Sequence, residues 1–403
     1  MIDLAAAQAV IADAVSSLDA IELDCEHALG QVLADDVVAT EPIPPFANSA
    51  MDGFAVRAPD TAAAPAVLDV VGELAAGSAP DVAVGEGEAV RIMTGAALPE
   101  GADAVVMVES TEQVGGQVRV LEPVVPGTHV RAAGSDLEVG DHAVGRGTAL
   151  GPAHVGVLAS LGVTRVRVVR RARVGVCSTG DELVERGALR RGQIRDANRP
   201  MLLALVEQAG ATAVDLGVLP DDEATIRRAL TEACAHCDVV VASGGVSVGD
   251  YDHVKAVLAS IASGPAHWWQ VAIKPAKPLA FAMVGATPVF GLPGNPVSSL
   301  VSFELFARPT ILRRMGHARR HRPEVTAVAE TDLSRRPDGK LHLDRVFVRA
   351  DGERWTASRT GAQASNVLSA TALANGLALL PDGNGVAAGD PVRVMRLDLP
   401  ADH

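Results

Sequence analysis

The sequence contains few cysteines, few aromatic residues and few lysines. Four cysteines in 403 residues are too few for a disulfide scaffold. Aromatic residues make up only 3% of the chain, so alanine, valine and leucine must fill its cores. Lysine is rare among the 35 basic residues, occurring only as Lys255, Lys274, Lys277 and Lys340. Arginine is therefore the usual cation of this chain, and a pair of neighbouring lysines is a candidate for a specific role.

The chain also lacks an excess of positive charge and a long apolar run. Its 49 acidic residues outnumber the basic ones and give a formal charge of −14, which would repel nucleic acid and an anionic membrane surface. No run of about 18 apolar residues could span a bilayer. The start, MIDLAAAQAVIADAV, has no basic region or small-residue cleavage site of a secretory signal. We expect a cytoplasmic protein without nucleic-acid or membrane partners.

Cys234 and Cys237 form the only close cysteine pair. A structural zinc ion needs four ligands, and no second C-x-x-C or H-x-x-H motif exists to complete a site with His236. Buried or helix-surface thiols are therefore the favoured interpretation. A metal or redox role is the alternative.

The length of 403 residues exceeds the size at which one hydrophobic core keeps growing, which predicts several domains. Short Val-rich runs punctuated by Gly and Pro indicate β structure, whereas strands alternating with helices indicate a doubly wound parallel sheet. The sequence thus predicts a multidomain α/β plus all-β protein. Its predicted parts are an N-terminal helix (1–20), a linking β region (21–39 and 141–167), a β-rich insertion (40–140), a doubly wound α/β domain (168–318) and a C-terminal β domain (319–403).

The string CSTGDEL follows a buried strand of the predicted α/β domain. Ser178, Thr179 and Gly180 therefore lie at the carboxyl end of that strand, where open α/β sheets bind ligands. Asp181 and Glu182 place two carboxylates at the same edge. The alternative is that both acids only complement the dipole at a helix N-terminus.

The string CDVVVASGGVSVGDYD repeats this arrangement. An apolar strand runs into small residues that let backbone N–H groups approach an anion, although the loop is neither a Walker A motif nor a dinucleotide fingerprint. Acidic residues follow immediately, and carboxylates together with substrate phosphates are typical of Mg²⁺ sites. The anion-loop candidates are Ser243, Gly244, Gly245 and Ser247, and the predicted metal ligands are Asp181, Glu182, Asp222 and Asp252.

Two proline-rich strings complete the predicted site. AIKPAKPLAF supplies Lys274 and Lys277 on a stiffened segment, and GLPGNPVSS places Pro293 and Pro296 in a loop after a strand. An acidic protein needs local positive charge to hold a phosphate ester, so we expect both lysines to bind anions. Ordinary turns and solvated surface lysines are the alternative.

Two further strings lie in the predicted β insertion. PPFANSAMDGFAVRA contains Ser49 and Asp52, and RIMTGAALPEGADAVVMVE contains Thr94 at a strand end. An Asp-Gly hairpin would account for the turn but not for the residues around it. All of these strings, in this order and over essentially the whole chain, resemble the MoeA family and the E domain of gephyrin.

The resemblance implies a homodimer whose α/β domain shares the MogA fold of the pterin-adenylylating enzymes, with the N-terminal helix packed on it and a β-barrel at the C-terminus. It places the active site between the α/β domain of one subunit and the β insertion of the other. The implied reaction inserts molybdate into adenylylated molybdopterin and releases AMP, with Mg²⁺ as cofactor. Molybdopterin adenylyltransferase and apo-molybdoenzymes are the implied partners. The alternatives are adenylylation of molybdopterin by ATP and a gephyrin-like scaffold.

The family's functional positions carry over to matching residues of this sequence, together with the strand-end residues above. The segment HVRAAGSDLEVGD departs from the family by having Ala132 and Ala133 where relatives carry further arginines. Residues expected in catalysis are Asp52, Thr94, Glu182, Asp252, Lys274 and Lys277. Residues expected to bind substrate are Ser49, Arg131, Asp136, Ser178, Thr179, Gly180, Ser243, Gly244, Gly245, Ser247, Pro293, Pro296 and Ser365.

Overall fold

The computed structural model describes residues 1–245 and 253–398. Its architecture confirms the multidomain α/β plus all-β prediction. Across the described residues, no helix has the length and apolar character needed to cross a membrane.

The N-terminal helix belongs to the core of the α/β domain. It begins after Asp3, whose carboxylate accepts a hydrogen bond of 2.8 Å from the Ala5 N–H. Ala7 and Ile11 are buried in the same apolar cluster as the α/β sheet. The elements of this part are α1 (Leu4–Ala14), β1 (Ala20–Asp24), β2 (Val32–Leu33) and β3 (Val37–Val38).

The β insertion is built on a six-stranded mixed sheet in the order β8-β5-β7-β6-β10-β9. Phe54 and Val56 of β5 pack into one apolar cluster and Ala55 into another, so this strand is buried on both faces. The strands are β4 (Asn48–Ser49), β5 (Gly53–Val56), β6 (Ala66–Leu74), β7 (Glu88–Ile92), β8 (Ala104–Met107), β9 (Thr111–Val114), β10 (Gln117–Val120) and β11 (Val130–Arg131).

The linking β region joins the insertion to the α/β domain. It comprises β12 (His142–Val144), α2 (Pro152–Ser160) and β13 (Arg165–Val169), with sheets β1-β13-β2 and β12-β3. Val166 and Val168 are buried, whereas Arg165 and Arg167 are exposed and paired with acidic residues. The strand in which Val and Arg alternate therefore has one solvated face and one buried face.

The α/β domain has a six-stranded sheet in the order β17-β14-β18-β22-β21-β19. Its first four strands are parallel, as predicted, but β21 runs antiparallel to both of its neighbours, β22 and β19, so the sheet is mixed at this edge. Only Gly285 and Ala286 connect β21 to β22, and so short a link can form only a hairpin. A π-helix (Phe303–Ala307) lies between the last two α-helices of this domain, α6 and α7. The elements are β14 (Arg173–Thr179), β15 (Leu183–Val184), β16 (Ile194–Arg195), α3 (Asn198–Gln208), β17 (Thr212–Leu219), α4 (Glu223–His236), β18 (Val239–Ser243), α5 (His253–Ile261), β19 (His267–Gln270), β20 (Ile273–Lys274), β21 (Pro278–Val284), β22 (Thr287–Leu292), α6 (Pro296–Ser302) and α7 (Arg308–Arg314).

The C-terminal domain is a closed five-stranded barrel. Its strands run β25-β26-β23-β29-β27, and β27 pairs again with β25 to complete the circle. Strand β20 of the α/β domain pairs in parallel with β25, so that Lys274 lies opposite His342. The lysine segment is therefore fixed against the barrel. The elements are β23 (Glu324–Ala329), β24 (Leu333–Ser334), β25 (Leu341–Asp351), β26 (Arg354–Arg359), α8 (Leu368–Ala372), β27 (Gly376–Leu380), β28 (Gly385–Val386) and β29 (Pro391–Arg396).

Candidate functional site

A cleft of about 610 Å³ lies at the carboxyl ends of the parallel strands β14, β18 and β22. We call it the sheet-edge cleft. This is the edge at which open α/β sheets bind ligands. Among the predicted site residues, its described lining includes Ser178, Thr179, Gly180, Glu182, Ser243, Gly244, Gly245 and Pro293.

The first wall of the sheet-edge cleft depends on Gly180. Its backbone has a φ of 149°, and a Cβ atom there would lie 2.5 Å from Oε2 of Glu182. The Glu182 carboxylate thus folds back over Gly180 at the cleft surface. Ser178 is buried and donates a hydrogen bond of 3.0 Å to Oδ1 of Asp196. The buried Oγ1 of Thr179 makes no hydrogen bond to the described residues, which leaves it available to a ligand.

The second wall is the turn after β18. Ser243 is buried, and its hydroxyl accepts a hydrogen bond of 2.8 Å from the Asn198 side chain. Gly244 has a φ of 101°, and a Cβ atom there would lie 2.7 Å from the carbonyl oxygen of Thr179. The two strand ends therefore approach more closely than any other residue would allow. Ser247 and Asp252 lie outside the described residues.

Three acidic residues, Asp181, Glu182 and Asp221, lie at this edge. Asp181 and Asp221 hold each other, because the backbone N–H of each donates to the carboxylate of the other at 3.4 and 3.2 Å. Asp221 and Glu182 line the sheet-edge cleft. Within the ranges that the structure describes, no group of three or more His, Cys, Asp or Glu side chains is arranged to hold a metal ion.

Asp222 has a different position from the one expected of a metal ligand. It is the N-cap of α4 and accepts a hydrogen bond of 2.7 Å from the Thr225 N–H. Hydrogen bonds from the Thr225 side chain and backbone lower the pKa of Asp222. The sequence reasoning missed Asp221, its neighbour. The sequence signal for Asp221 was the helix that begins directly after the Asp-Asp pair. A helix that begins there makes the second aspartate its N-cap and leaves the carboxylate of the first one available for the cleft.

A second cleft, of about 1080 Å³, lies between the α/β domain and the barrel. We call it the basic cleft. Pro278 and Ser298 line both clefts, so the two adjoin. Three of the four lysines of the chain, Lys274, Lys277 and Lys340, lie in its lining. Six cationic residues face two acidic ones there: Lys274, Lys277, Arg335, Arg336, Lys340 and Arg359 against Asp338 and Asp344.

The two predicted lysines are exposed on a backbone that is itself fixed. Val271 N–H donates a hydrogen bond of 2.7 Å to the Lys277 carbonyl, and β20 carries Lys274 into the barrel sheet. Ala276 between them is buried and has a φ of 77°. In the part of the chain that the structure describes, neither lysine forms an ion pair. Both ammonium groups are therefore free to meet an anion.

The barrel contributes cations that the sequence reasoning missed, among them Arg359. Its Nε lies 2.9 Å from Oδ2 of the buried Asp344. The positive charge of Arg359 is therefore already balanced by Asp344. A hydrogen bond from Lys340 lowers the pKa of Asp338 to about 2, against the opposing effect of burial and with help from His342. Lys340 had a signal in the sequence, because it is one of only four lysines.

Ser365 and Pro296 meet at the boundary of the two domains. Ser365 lines the basic cleft, and its carbonyl accepts a hydrogen bond of 3.2 Å from the Val297 N–H. Pro296 is the first residue of α6, where its missing N–H costs nothing. The barrel loop is thereby attached to the helix that follows the predicted GLPGNP loop.

The predicted residues of the β insertion form a separate group. Oδ1 of Asp52 accepts hydrogen bonds of 2.7 Å from both the N–H and the hydroxyl of Thr94, and these bonds, the backbone one foremost, lower the pKa of Asp52. Strand pairing of β4 with β11 sets Asn48 opposite Arg131 and Ser49 opposite Val130. Asp136 is exposed, and its N–H donates to the Ile43 carbonyl. None of the described residues lining the two clefts comes from residues 40–140.

The cysteines lie where the sequence predicts. Cys237 is buried and Cys234, at the end of α4, is partly buried. Burial raises the pKa of Cys234 to about 12, which keeps its thiol protonated and unreactive.

The fold and the clefts define a multidomain α/β protein with two neighbouring clefts at one sheet edge. One cleft contains the turn of small residues after β18 (Ser243, Gly244 and Gly245), which we call the anion turn because it is predicted to bind anions, and the other cleft is cationic. Residues 2–162 match the MoeA N-terminal region (domain I and II), residues 175–313 a probable molybdopterin binding domain and residues 326–397 the MoeA C-terminal region (domain IV). The chain belongs to the MoeA family.

Relatives match over nearly the whole chain. A molybdopterin molybdenumtransferase from Haemophilus influenzae is 39% identical over 378 residues, 92% of each chain. Molybdopterin molybdenumtransferase 2 from Mycobacterium tuberculosis is 39% identical over 400 residues, 97% of this chain and 98% of the relative. The crystal structure of a molybdopterin biosynthesis MoeA protein from Pyrococcus horikoshii superposes with a TM-score of 0.85 at 28% identity, over 98% of this chain and 100% of the other.

Proposed function

We propose that this protein is a molybdopterin molybdenumtransferase, which inserts molybdate into adenylylated molybdopterin and releases AMP. One observation carries the proposal. The sheet-edge cleft, with its anion turn and carboxylates, adjoins at Pro278 and Ser298 a cleft that holds three of the four lysines. A phosphoanhydride substrate and a tetrahedral oxyanion would thus have neighbouring sites in an otherwise acidic protein.

The sheet-edge cleft suits the adenylylated pterin. Small residues at Gly244 and Gly245 let backbone N–H groups approach phosphate oxygens, and the Thr179 hydroxyl offers a further donor. The lysines and Arg131 bind anionic oxygens. Positioning and charge stabilisation are the contributions of the protein, and cleavage of the phosphoanhydride needs no covalent nucleophile.

The carboxylates at this edge fit a magnesium ion. Mg²⁺ in proteins is usually held by one or two carboxylates together with substrate phosphates, and Glu182 and Asp221 both line the cleft beside the anion turn. Asp181 would support Asp221 through their exchanged hydrogen bonds. Asp252, outside the described residues, remains a predicted ligand. The bound ion would neutralise phosphate charge.

The basic cleft suits molybdate. Arg359 is balanced by Asp344, and Asp338 is held by Lys340 and His342. Lys274 and Lys277, together with the exposed Arg336, therefore supply the positive charge that an incoming dianion would meet. Their place beside the adjoining cleft would bring molybdate to the dithiolene sulfurs of the pterin.

The β insertion supports a shared site in a homodimer. Asp52 and Thr94 form a hydrogen-bonded polar group that, like Arg131, lines neither cleft of its own chain. A second subunit would bring this group to the sheet-edge cleft. The protein would act in the cytoplasm, receiving its substrate from a molybdopterin adenylyltransferase and passing the product to apo-molybdoenzymes.

One assay separates this reaction from its rivals. The purified protein is incubated with adenylylated molybdopterin, molybdate and Mg²⁺, and AMP is followed by chromatography. A parallel reaction holds unmodified molybdopterin and ATP. AMP release in the first reaction alone supports the proposal. Consumption of ATP in the second would indicate an adenylyltransferase, and no reaction in either would favour a scaffold.

A further inference from the structure

A short segment beside the sheet-edge cleft carries a concentration of arginines. Residues 183–195, LVERGALRRGQIR, contain four arginines and one acid, in a chain whose formal charge is −14. We call this the arginine segment. All four side chains are exposed: Arg186, Arg190, Arg191 and Arg195.

The ends of the arginine segment form part of the cleft. Strands β15 and β16 pair in parallel, with Leu183 opposite Ile194, and both of these residues line the sheet-edge cleft. The chain between them, residues 185–193, which we call the arch, is largely exposed and lines no part of the cleft. The four arginines therefore lie within four residues along the chain of Leu183 or Ile194 in the cleft wall.

Arg199 fixes both ends of the arch. Its guanidinium contacts the carboxylates of Glu185 and Asp215, and its Nε lies 3.1 Å from Oδ2 of Asp196. Asp196 in turn accepts the hydrogen bond from Ser178 inside the cleft. The only acid of the arginine segment, Glu185, is thus already paired with an arginine outside the segment.

Ion pairs engage several exposed arginines elsewhere on the surface. Five of them lie 2.6 to 3.4 Å from a carboxylate: Arg119, Arg165, Arg167, Arg349 and Arg393. Arg146 and Arg354 are exposed without such a pair among the described residues, so the arginine segment is distinguished by its density of cations beside the cleft. For the four arginines of the arginine segment, the described part of the chain provides no acidic partner within ion-pair distance. Unpaired cations at the rim of a cleft attract anions over distances set by the ionic strength.

We propose that the arginine segment captures the anionic substrate and steers its phosphates into the sheet-edge cleft. This inference rests on the proposed function, since an adenylylated substrate supplies the negative charge. An acidic protein repels such a substrate over much of its surface, and the four exposed arginines add positive charge beside the cleft. The arginines therefore raise the association rate constant of the substrate. Thr179, Gly244 and Glu182 instead stabilise the substrate once it is bound.

The test measures association directly with N-methylanthraniloyl-AMP as the probe, by stopped-flow fluorescence on the full-length protein. The variant Arg190→Glu/Arg191→Glu reverses two charges of the arch. A matched control, Arg146→Glu/Arg354→Glu, makes the same change at exposed arginines that line neither cleft. We expect the association rate constant of the first variant to fall about tenfold at roughly 10 mM salt and the difference to shrink at roughly 200 mM. The dissociation rate constant and the control should change by less than about twofold.

An equal fall in both variants would assign the effect to net charge and overturn the proposal, as would unchanged association in the arch variant. Failure of AMP release by the wild type, with the expected association result, would refute the proposed reaction and leave the steering role. Normal AMP release with equal association in all three proteins would refute the steering role alone.

Discussion

Glu182 and Gly180 depend on each other at the edge of the α/β sheet. The carboxylate occupies the space that a side chain at residue 180 would fill, so the glycine fixes where the negative charge lies. Between them, Asp181 accepts a hydrogen bond from the backbone N–H of Asp221. Glu182 is thus the acid of this string that remains directed into the cleft.

Glu182→Gln should keep the fold and abolish molybdate-dependent AMP release, because it removes charge without changing volume. Asp221→Asn should lower the same activity, since Asp221 lines the cleft beside it. Asp222→Asn is the matched control: asparagine caps a helix as well as aspartate does, so melting temperature and AMP release should both be retained. Wild-type turnover in Glu182→Gln would refute this assignment. Loss of activity in Asp222→Asn at unchanged stability would make Asp222 a ligand after all.

Lys277 tests whether a compact ammonium is required in the basic cleft. Arginine is the usual cation of this chain, yet lysine stands at both predicted positions of the segment. Lys277→Arg should impair AMP release despite conserving charge, and Lys277→Ala should impair it further. Neither should shift the melting temperature much, because the side chain is exposed. Unchanged kinetics of both variants at subsaturating molybdate would show that Lys277 is a solvated surface lysine.

At the level of secondary-structure elements, an ion pair holds the start of β18 in the α/β sheet to the linking region. Arg170 follows β13 and donates two hydrogen bonds to Asp238, of 2.8 and 2.5 Å, at the start of β18. Burial raises the pKa of Asp238, but hydrogen bonds from Arg170 and from the Arg173 N–H outweigh it and lower the pKa overall. The negative charge of Asp238 is therefore stabilised in the folded protein.

Asp238→Asn should lower the free energy of unfolding by about 1–2 kcal/mol at pH 7, less than for a fully buried pair because Arg170 is 36% exposed. The folded-state pKa lies below the unfolded one, so this stability is present above about pH 4 and is lost as the pH falls through the folded pKa. Urea unfolding at pH 7 and near pH 3 measures the difference. A destabilisation that persists unchanged at the lower pH would assign the effect to packing instead.

The sequence predicts the strand-end residues well, because small and polar residues that directly follow a buried apolar strand lie at the carboxyl end of that strand. Ser178 and Ser243 are found at the same cleft for this reason. The antiparallel edge strands were not predictable from alternation alone. His342 and Arg359 escaped detection because they lie on ordinary alternating barrel strands, and only the pairing of β20 with β25, distant in sequence, brings them to the lysines.

At the scale of the whole molecule, the polar group of the β insertion and the two clefts belong to separate parts of one chain. An Asp52→Ala subunit and a Glu182→Ala subunit should each be inactive, yet a mixture should regain part of the activity, because hybrid dimers contain one site with both residues intact. Hybrid formation is verified by purification on two different tags. Absence of activity in verified hybrids would place the whole site within one subunit.

We propose that the basic cleft supplies molybdate to a pterin held in the adjoining sheet-edge cleft. The measurement is the rate of AMP release by Lys274→Ala/Lys277→Ala as a function of molybdate and, separately, of adenylylated molybdopterin. The half-saturating molybdate concentration should rise about tenfold or more, as expected from the loss of a charge-assisted contact, while that of the pterin changes little. Unchanged molybdate dependence, or a rise confined to the pterin, would contradict the account.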